Sequence, residues 1–410
     1  MKKALVLCGG LPQTALVEEL KKRGIYTILA DKNDHVMARE HADKFYPVSV
    51  LDRDAVRDLA VAEKVDFVIT VCADQVLEVV ASVAEELGLP WYIDARTAEL
   101  VSKKSYMKKI FIENGIPTTK YTVVERFEPE AFSALSYPLI VKPTDAYSSR
   151  GVTRVDSESE LGAALSRALS ISREGKAIVE EFAEGEEISV DVYVEEGTAH
   201  VLCLTSLYKI KDEGKFVINR SRVPALVPEK IEREIAAVAQ KIADAFRLKN
   251  TPMLIQLITD GERISVVEFC ARTGGGVKFS MIKKISGFDV VKAVVDLTLG
   301  ERPHVGEINR PERITVNEFL YCKKGTLARV EGLEELLFEG IINDFAVFKS
   351  AGARFDEING SGDRVAYFSI EAKDEADLLE RHAIANARVR AVSEDGEDLL
   401  CHDLVERFRR

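Results

Sequence analysis

The sequence predicts a multidomain chain of α/β and α+β units, on three observations. Short apolar runs alternate with amphipathic segments over the first hundred residues, and strand-length runs dominate after a basic helix over 103–113. The chain also has 410 residues, against ~100–200 for an ordinary domain, so two to four packed units are expected. A hydrophobic fraction of 46% with 30% charged residues describes a soluble, core-forming chain, not a disordered or membrane-embedded one.

An apolar strand over residues 4–8 runs into Gly9-Gly10 and a helical pattern over 14–23. A second strand over 26–30 ends at Asp31, and a third over 66–71 precedes a helix over 75–87. This alternation implies βαβ units and a parallel sheet. A glycine pair followed by an acid after the next strand invites a dinucleotide-binding reading. Gly9-Gly10-Leu11-Pro12-Gln13-Thr14 is not G-x-G-x-x-G, however, and Pro12 occupies a helix-opening position, so a tight strand-to-helix turn is the preferred reading.

A basic helix over 103–113 is stopped by Asn114-Gly115-Ile116-Pro117. Strands over 139–142, 177–182, 188–194 and 200–208 follow, with one helix over 158–170 among them. A long amphipathic helix over 228–246 leads to strands over 253–259 and 264–269, joined by the hairpin signal Thr259-Asp260-Gly261-Glu262. Two helices then reach about Gly300, and a final α+β segment carries a strand over 365–370 and a helix over 374–385.

Lys and Arg total 56 against 68 Asp and Glu, a net charge of -12. Such a chain has no general electrostatic attraction for nucleic acid or an anionic membrane, so any anion it binds needs a locally basic pocket. The six cysteines are scattered without CxxC spacing, the usage of a reducing compartment. Met1-Lys2-Lys3 leads straight into a strand, with no cleavage site and no bilayer-length apolar stretch. A cytoplasmic location is expected.

The chemistry concentrates in four clusters. Lys104 and Lys108 share a helix face just before Gly115-Ile116-Pro117-Thr118. Tyr137-Pro138-Leu139-Ile140-Val141-Lys142-Pro143 is a strand ending in lysine, followed by a polar loop to Gly151. Val179-Glu180-Glu181-Phe182-Ala183-Glu184-Gly185-Glu186-Glu187 comes third, and Gln256, Glu268, Arg272 and Gly274-Gly275-Gly276 make the fourth. Gln256 and Glu268 lie on adjacent strands of one hairpin, where their oxygens converge on one site suited to Mg²⁺. A glutamate inside Ile264-Ser265-Val266-Val267-Glu268-Phe269 is either a ligand or a costly burial.

In this order and at these spacings the clusters resemble the ATP-grasp superfamily, closely over residues 103–276. The resemblance implies a Rossmann-like parallel-sheet N-terminal domain over 1–101, a two-lobed ATP-grasp core over 102–308 with a lid lobe at about 118–183, and a small α+β C-terminal domain over 309–410. It implies ATP and Mg²⁺ (or Mn²⁺) as ligands. Lys104 and Lys142 correspond to phosphate-binding lysines, and Ser148 to a lid donor in a loop poor in glycine. Glu180 stands at the hinge, backbone groups of Glu181 and Ala183 meet adenine, and Glu187 accepts from the ribose hydroxyls. Gln256 and Glu268 are the metal ligands, and Arg272 stabilises the transferring phosphoryl group. Lys103, Lys108 and Lys109 read as solvated charges, as do the side chains of Glu181, Glu184 and Glu186. Where the family usually has a third ligand, an asparagine, this chain has Cys270, a poor Mg²⁺ ligand.

The implied reaction activates a carboxylate as an acyl phosphate and condenses it with an amine, releasing ADP and phosphate. Ala271-Arg272-Thr273-Gly274-Gly275-Gly276 looks most like the amino-acid ligase branch. The alternatives are a purine-pathway ligase, a biotin-dependent carboxylase-like enzyme, and a nucleotide-binding protein without turnover. Substrate groups are expected around Asp74, Lys209, Arg220 and Arg222. The partners are then small molecules, not nucleic acid or membrane, and a homodimer is compatible with the family.

Overall fold

The computed structural model describes residues 1–146, 150–210, 216–308, 311–402 and 404. Strands Lys3–Leu7, Tyr26–Ala30, Lys44–Tyr46 and Phe67–Ile69 form a parallel sheet in the spatial order third, second, first, fourth. A parallel sheet needs cover on both faces. Leu5, Leu7 and Ile28 pack with Val56 and Val80 on one side. Val6 and Leu29 pack on the other with Leu16, Leu20 and, from far along the chain, Val291 and Val294 of the helix Val290–Thr298.

The turn after the first strand closes on itself. Gly9 lies against Val36 with no room for a Cβ, its N–H donates to Asp31 Oδ2 at 3.0 Å, and Pro12 falls in the first turn of the helix Leu11–Lys22. The acid that a dinucleotide fold would offer a ribose is occupied by the turn. The helix expected over 75–87 starts with a 3₁₀ turn, Asp74–Val76, and continues as Leu77–Leu87. The helix Ala95–Ser102, capped by Asp94 accepting from the Thr97 N–H at 2.7 Å, has no counterpart in the sequence expectations.

Strands Tyr121–Val124, Leu139–Pro143, Thr153–Val155 and Ala177–Glu181 build a small antiparallel sheet. Its apolar face meets the helix Glu158–Ile171 in a separate core of Leu139, Val141 and Val179 with Leu161 and Leu165.

The rest hangs on one antiparallel sheet of eight strands. In spatial order they are Ile264–Cys270, Thr251–Thr259, Glu186–Glu195, Thr198–Lys209, Ile218–Val223, Ile314–Leu320, Ala366–Ala372 and Asp344–Val347. Alternation along Glu187-Ile188-Ser189-Val190-Asp191-Val192 gives this sheet two unlike faces. Ile188, Val190 and Val192, with Ile255, Leu257 and Val266, bury against Ile231, Ile235 and Ile242 of the helix Glu229–Ala245 and against Met107 and Phe111 of the helix Lys104–Glu113. The other face is polar. Register places Glu268 opposite Gln256, Gln256 opposite Ser189, and Ser189 opposite Thr205. Ser221 lies opposite Asn317 two strands further on. This polar face is the floor of the site. No helix among the described residues is long and apolar enough to cross a membrane.

Candidate active site

The floor, the small sheet and the helix Lys104–Glu113 enclose a cleft of about 170 Å³. Lys104, Lys142, Glu180, Glu181, Ala183, Glu187, Gln256 and Glu268 all line it. Ser148 lies outside the described residues. Gly185, at φ +132°, lets the chain cross Thr259, whose carbonyl oxygen a Cβ would strike.

Lys142 is buried and ion-paired to Glu180. The other oxygen of Glu180 meets Lys108 at 2.6 Å. The sequence reading of Lys108 as a solvated charge is therefore corrected. Its side chain is buried, and its ammonium also donates to Thr118 Oγ1 at 2.6 Å and Thr119 Oγ1 at 3.2 Å. A buried ammonium survives only with its donors matched, and here one carboxylate and two hydroxyls match them. Burial pushes the Glu180 carboxyl up, but Lys108 and Lys142 pull harder and hold it down at about 2. A depressed carboxyl stabilises the fold above its unfolded pKa and loses that contribution as pH falls through the folded one. The stability difference between wild type and Glu180→Gln, measured by urea titration, should therefore shrink as pH drops from about 4.5 toward 2. A difference that stays constant across that window would show that the pair does not act this way.

The Glu181 N–H donates to Lys120 O at 3.0 Å, so of that residue's two backbone groups the carbonyl is the one left for a ligand. Its carboxylate accepts from the Ser136 N–H at 3.0 Å. Glu187 receives Lys209 Nζ at 2.5 Å and Gln256 Nε2 at 3.2 Å. Glu268 is half-buried and 3.4 Å from Lys104 Nζ, which also donates to Ala146 O at 2.8 Å.

The oxygen donors at this point are one carboxylate and one amide. Among the described residues, no three or more His, Cys, Asp or Glu side chains gather to hold a metal. That set fits a Mg²⁺ ion that takes most of its shell from phosphate oxygens and water. It does not fit a second ion caged by protein alone. Cys270 lies two residues beyond Glu268 on the same strand face and is a neutral thiol. Burial, then the charge of Asp74, push its pKa well above the usual 9.0.

A second cavity of about 460 Å³ opens from the first, sharing Gln256, Glu268 and Phe216 as walls. It sits outside the carboxyl ends of the first and fourth strands of the parallel sheet, where strand order reverses, the usual place for a ligand in such sheets. Arg272 lines it, clamped by Asp74: Nε to Oδ1 is 2.5 Å and Nη2 pairs with Oδ2. Burial raises the Asp74 pKa, and Arg272 more than reverses that. Gly274 abuts Asp191, whose Oδ1 accepts the Gly274 N–H at 3.1 Å. Below it Lys278 Nζ spends its donors on Ser189, Asp191 and Thr205, each at 2.9 Å.

Two expected substrate groups are corrected. Arg220 and Arg222 alternate with cavity-facing Ser221 and so project from the opposite face. There Arg220 pairs with Glu318 and Arg222 with Glu375. Asp74 lines the cavity and Lys209 the cleft. Sequence reasoning missed Lys278, Asn317 and Arg364, which also line the larger cavity. Asn317 stands, like Ser189 and Asp191, at an alternate polar position of a strand, which was an available signal; Lys278 opens a helix and Arg364 follows a 3₁₀ turn, and neither carries it.

Three family models match in chain order: an ATP-grasp N-terminal domain over residues 17–91, an ATP-grasp domain over 135–280, and an L-amino acid ligase C-terminal domain over 318–394. The chain is 28% identical over 254 residues to a formate-dependent phosphoribosylglycinamide formyltransferase of Bacillus velezensis, covering 59% of this chain and 64% of that protein. To a phosphoribosylamine–glycine ligase of Lactococcus lactis it is 24% identical over 222 residues, covering 50% and 52%. It thus spans less than two thirds of the length of these relatives. An L-amino acid ligase from Bacillus licheniformis shares the fold with a TM-score of 0.80 at 22% identity, over 96% of this chain and 99% of that one. So does the biotin carboxylase domain of a 2-oxoglutarate carboxylase from Hydrogenobacter thermophilus, crystallised with MgADP, at a TM-score of 0.78 and 18% identity, over 95% and 90%. With the N-terminal and central models following one another on this fold, the chain belongs to the ATP-grasp superfamily.

Proposed function

We propose that the protein is an ATP-dependent carboxylate–amine ligase of the amino-acid ligase type. One observation carries the reading: a cleft walled by Lys104 and Lys142 opens, at Gln256 and Glu268, into a polar cavity holding Arg272 and the glycine loop. ATP in the cleft would set its phosphates against the two lysines and point the γ-phosphate at the junction. Bound Mg²⁺, held by Glu268 and Gln256, would neutralise phosphate charge there. A carboxylate in the cavity, approaching the bare backbone of Gly274–Gly276, would attack the γ-phosphorus, break its bond to the bridging oxygen of ADP and become an acyl phosphate as ADP departs. Arg272, fixed by Asp74, would face the charge that develops. An amine would then displace phosphate. The C-terminal match over 318–394 and the near full-length likeness to an amino acid ligase support an amino-acid substrate over a purine intermediate or bicarbonate.

The test is ATP-dependent phosphate release across a panel of amino acids, with hydroxylamine present to trap acyl phosphate as a hydroxamate. At least one amino acid should give a hydroxamate stoichiometric with ADP. ATP binding with no hydroxamate and no release from any member of the panel would leave a nucleotide-binding protein without turnover.

A further inference from the structure

Around the two cavities five cations meet carboxylates: Lys104 with Glu268, Lys142 with Glu180, Lys209 with Glu187, Arg272 with Asp74, Lys278 with Asp191. Arg364 departs from this pattern. It lines the larger cavity, and its contacts among the described residues are with neutral groups. Its Nε donates to Tyr321 Oη at 3.0 Å, and its Nη2 donates to Ile218 O at 3.3 Å. The guanidinium carbon stands 3.7 Å from the centroid of the Phe319 ring. Nη1 has no hydrogen bond among the described residues. A Cβ built on Gly276 would lie 3.5 Å from it, so the open edge faces the glycine loop with no side chain between.

We infer that Arg364 anchors a substrate carboxylate that is not itself activated, the free carboxylate of an amino acid whose amine attacks the acyl phosphate. This rests on the ligase reading above. Arg364 borders only the larger cavity, whereas Gln256 and Glu268 border both, so an anion on Arg364 is not the one that meets the γ-phosphate. The chemistry selects a carboxylate. A guanidinium stacked on a ring and tied at two nitrogens is preorganised, and a monoanion matches its single charge. A phosphate dianion would call for more than one unmatched cation. Ser361, on the same cavity wall, adds a neutral donor.

The experiment compares full-length wild type, Arg364→Gln and Arg364→Lys in ATP-dependent phosphate release. Amino acids are supplied in pairs, and in each pair one member or the other is replaced by its carboxamide. Wild type should prefer the free acid in the nucleophile position, and R364Q should raise the KM for that acid on the order of 10–100-fold, erasing the preference. The KM for ATP and the melting temperature should hold, and R364K should recover part of the loss. R364Q that keeps the acid preference overturns the subsite, as does wild type that uses acid and carboxamide equally. Preference for a phosphorylated amine over every free amino acid overturns the carboxylate assignment. No binding of ATP by wild type would overturn the ligase reading and the subsite with it. Intact ATP binding with turnover indifferent to residue 364 would overturn the subsite alone.

Discussion

Lys142→Ala is expected to lose ATP turnover by about 10²–10³-fold, the usual effect of removing one preorganised charge contact from a reacting group. The fold should feel the change too. The Lys142 ammonium is buried against Glu180, and a partner lost from a buried carboxylate costs about 1–3 kcal/mol. Lys108 keeps its own contact with Glu180 at 2.6 Å, so the carboxylate is not orphaned and the protein should still fold. Steady-state kinetics beside a thermal melt separate the two effects. A mutant with a lowered melting temperature and unchanged ATP affinity would make Lys142 a purely structural residue.

Glu268→Gln should be as damaging, with a loss of about 10²–10³-fold in rate that added Mg²⁺ does not rescue. It removes the carboxylate at the junction of the two cavities and breaks the ion pair of Glu268 with Lys104 at 3.4 Å. Cys270→Ala should change the rate by no more than a few fold, because a half-buried neutral thiol beside Asp74 offers the metal nothing. Mg²⁺ titrations of the two variants at saturating ATP make the comparison. Equal losses would give Cys270 a part in ordering Asp74 and Arg272.

Much of this architecture was legible in residue order. The strands over 188–194 and 264–269 announce themselves by apolar alternation, and the helix over 228–246 by a single apolar face. Eight of the proposed site residues line one cleft, and all but Ala183, which lies in the connection between Ala177–Glu181 and Glu186–Glu195, stand at strand or helix positions that pattern can recover. The failures share a cause. Lys104 and Lys108 sit one turn apart on one face of the helix Lys104–Glu113, yet one reaches the cleft wall and the other is sealed beneath it. Only the position of the small sheet, which brings Glu180 over Lys108, decides between them. Arg220 and Arg222 alternate correctly, but which face of their strand meets the site depends on Glu318 and Glu375, about a hundred and a hundred and fifty residues away. Pairing across such separations leaves no local trace.

The eight-stranded sheet also bears on how this protein can be taken apart. Ile218–Val223 pairs directly with Ile314–Leu320, so a cut near residue 309 would bare a row of unpaired backbone groups along a buried strand rather than release a module. Exposed edges of that kind recruit other chains, and truncated forms should precipitate where the whole protein stays dispersed. The small sheet, with its private core, is under no such constraint. In hydrogen exchange it should open on its own, while the segments on either side of residue 309 exchange together in one slower event.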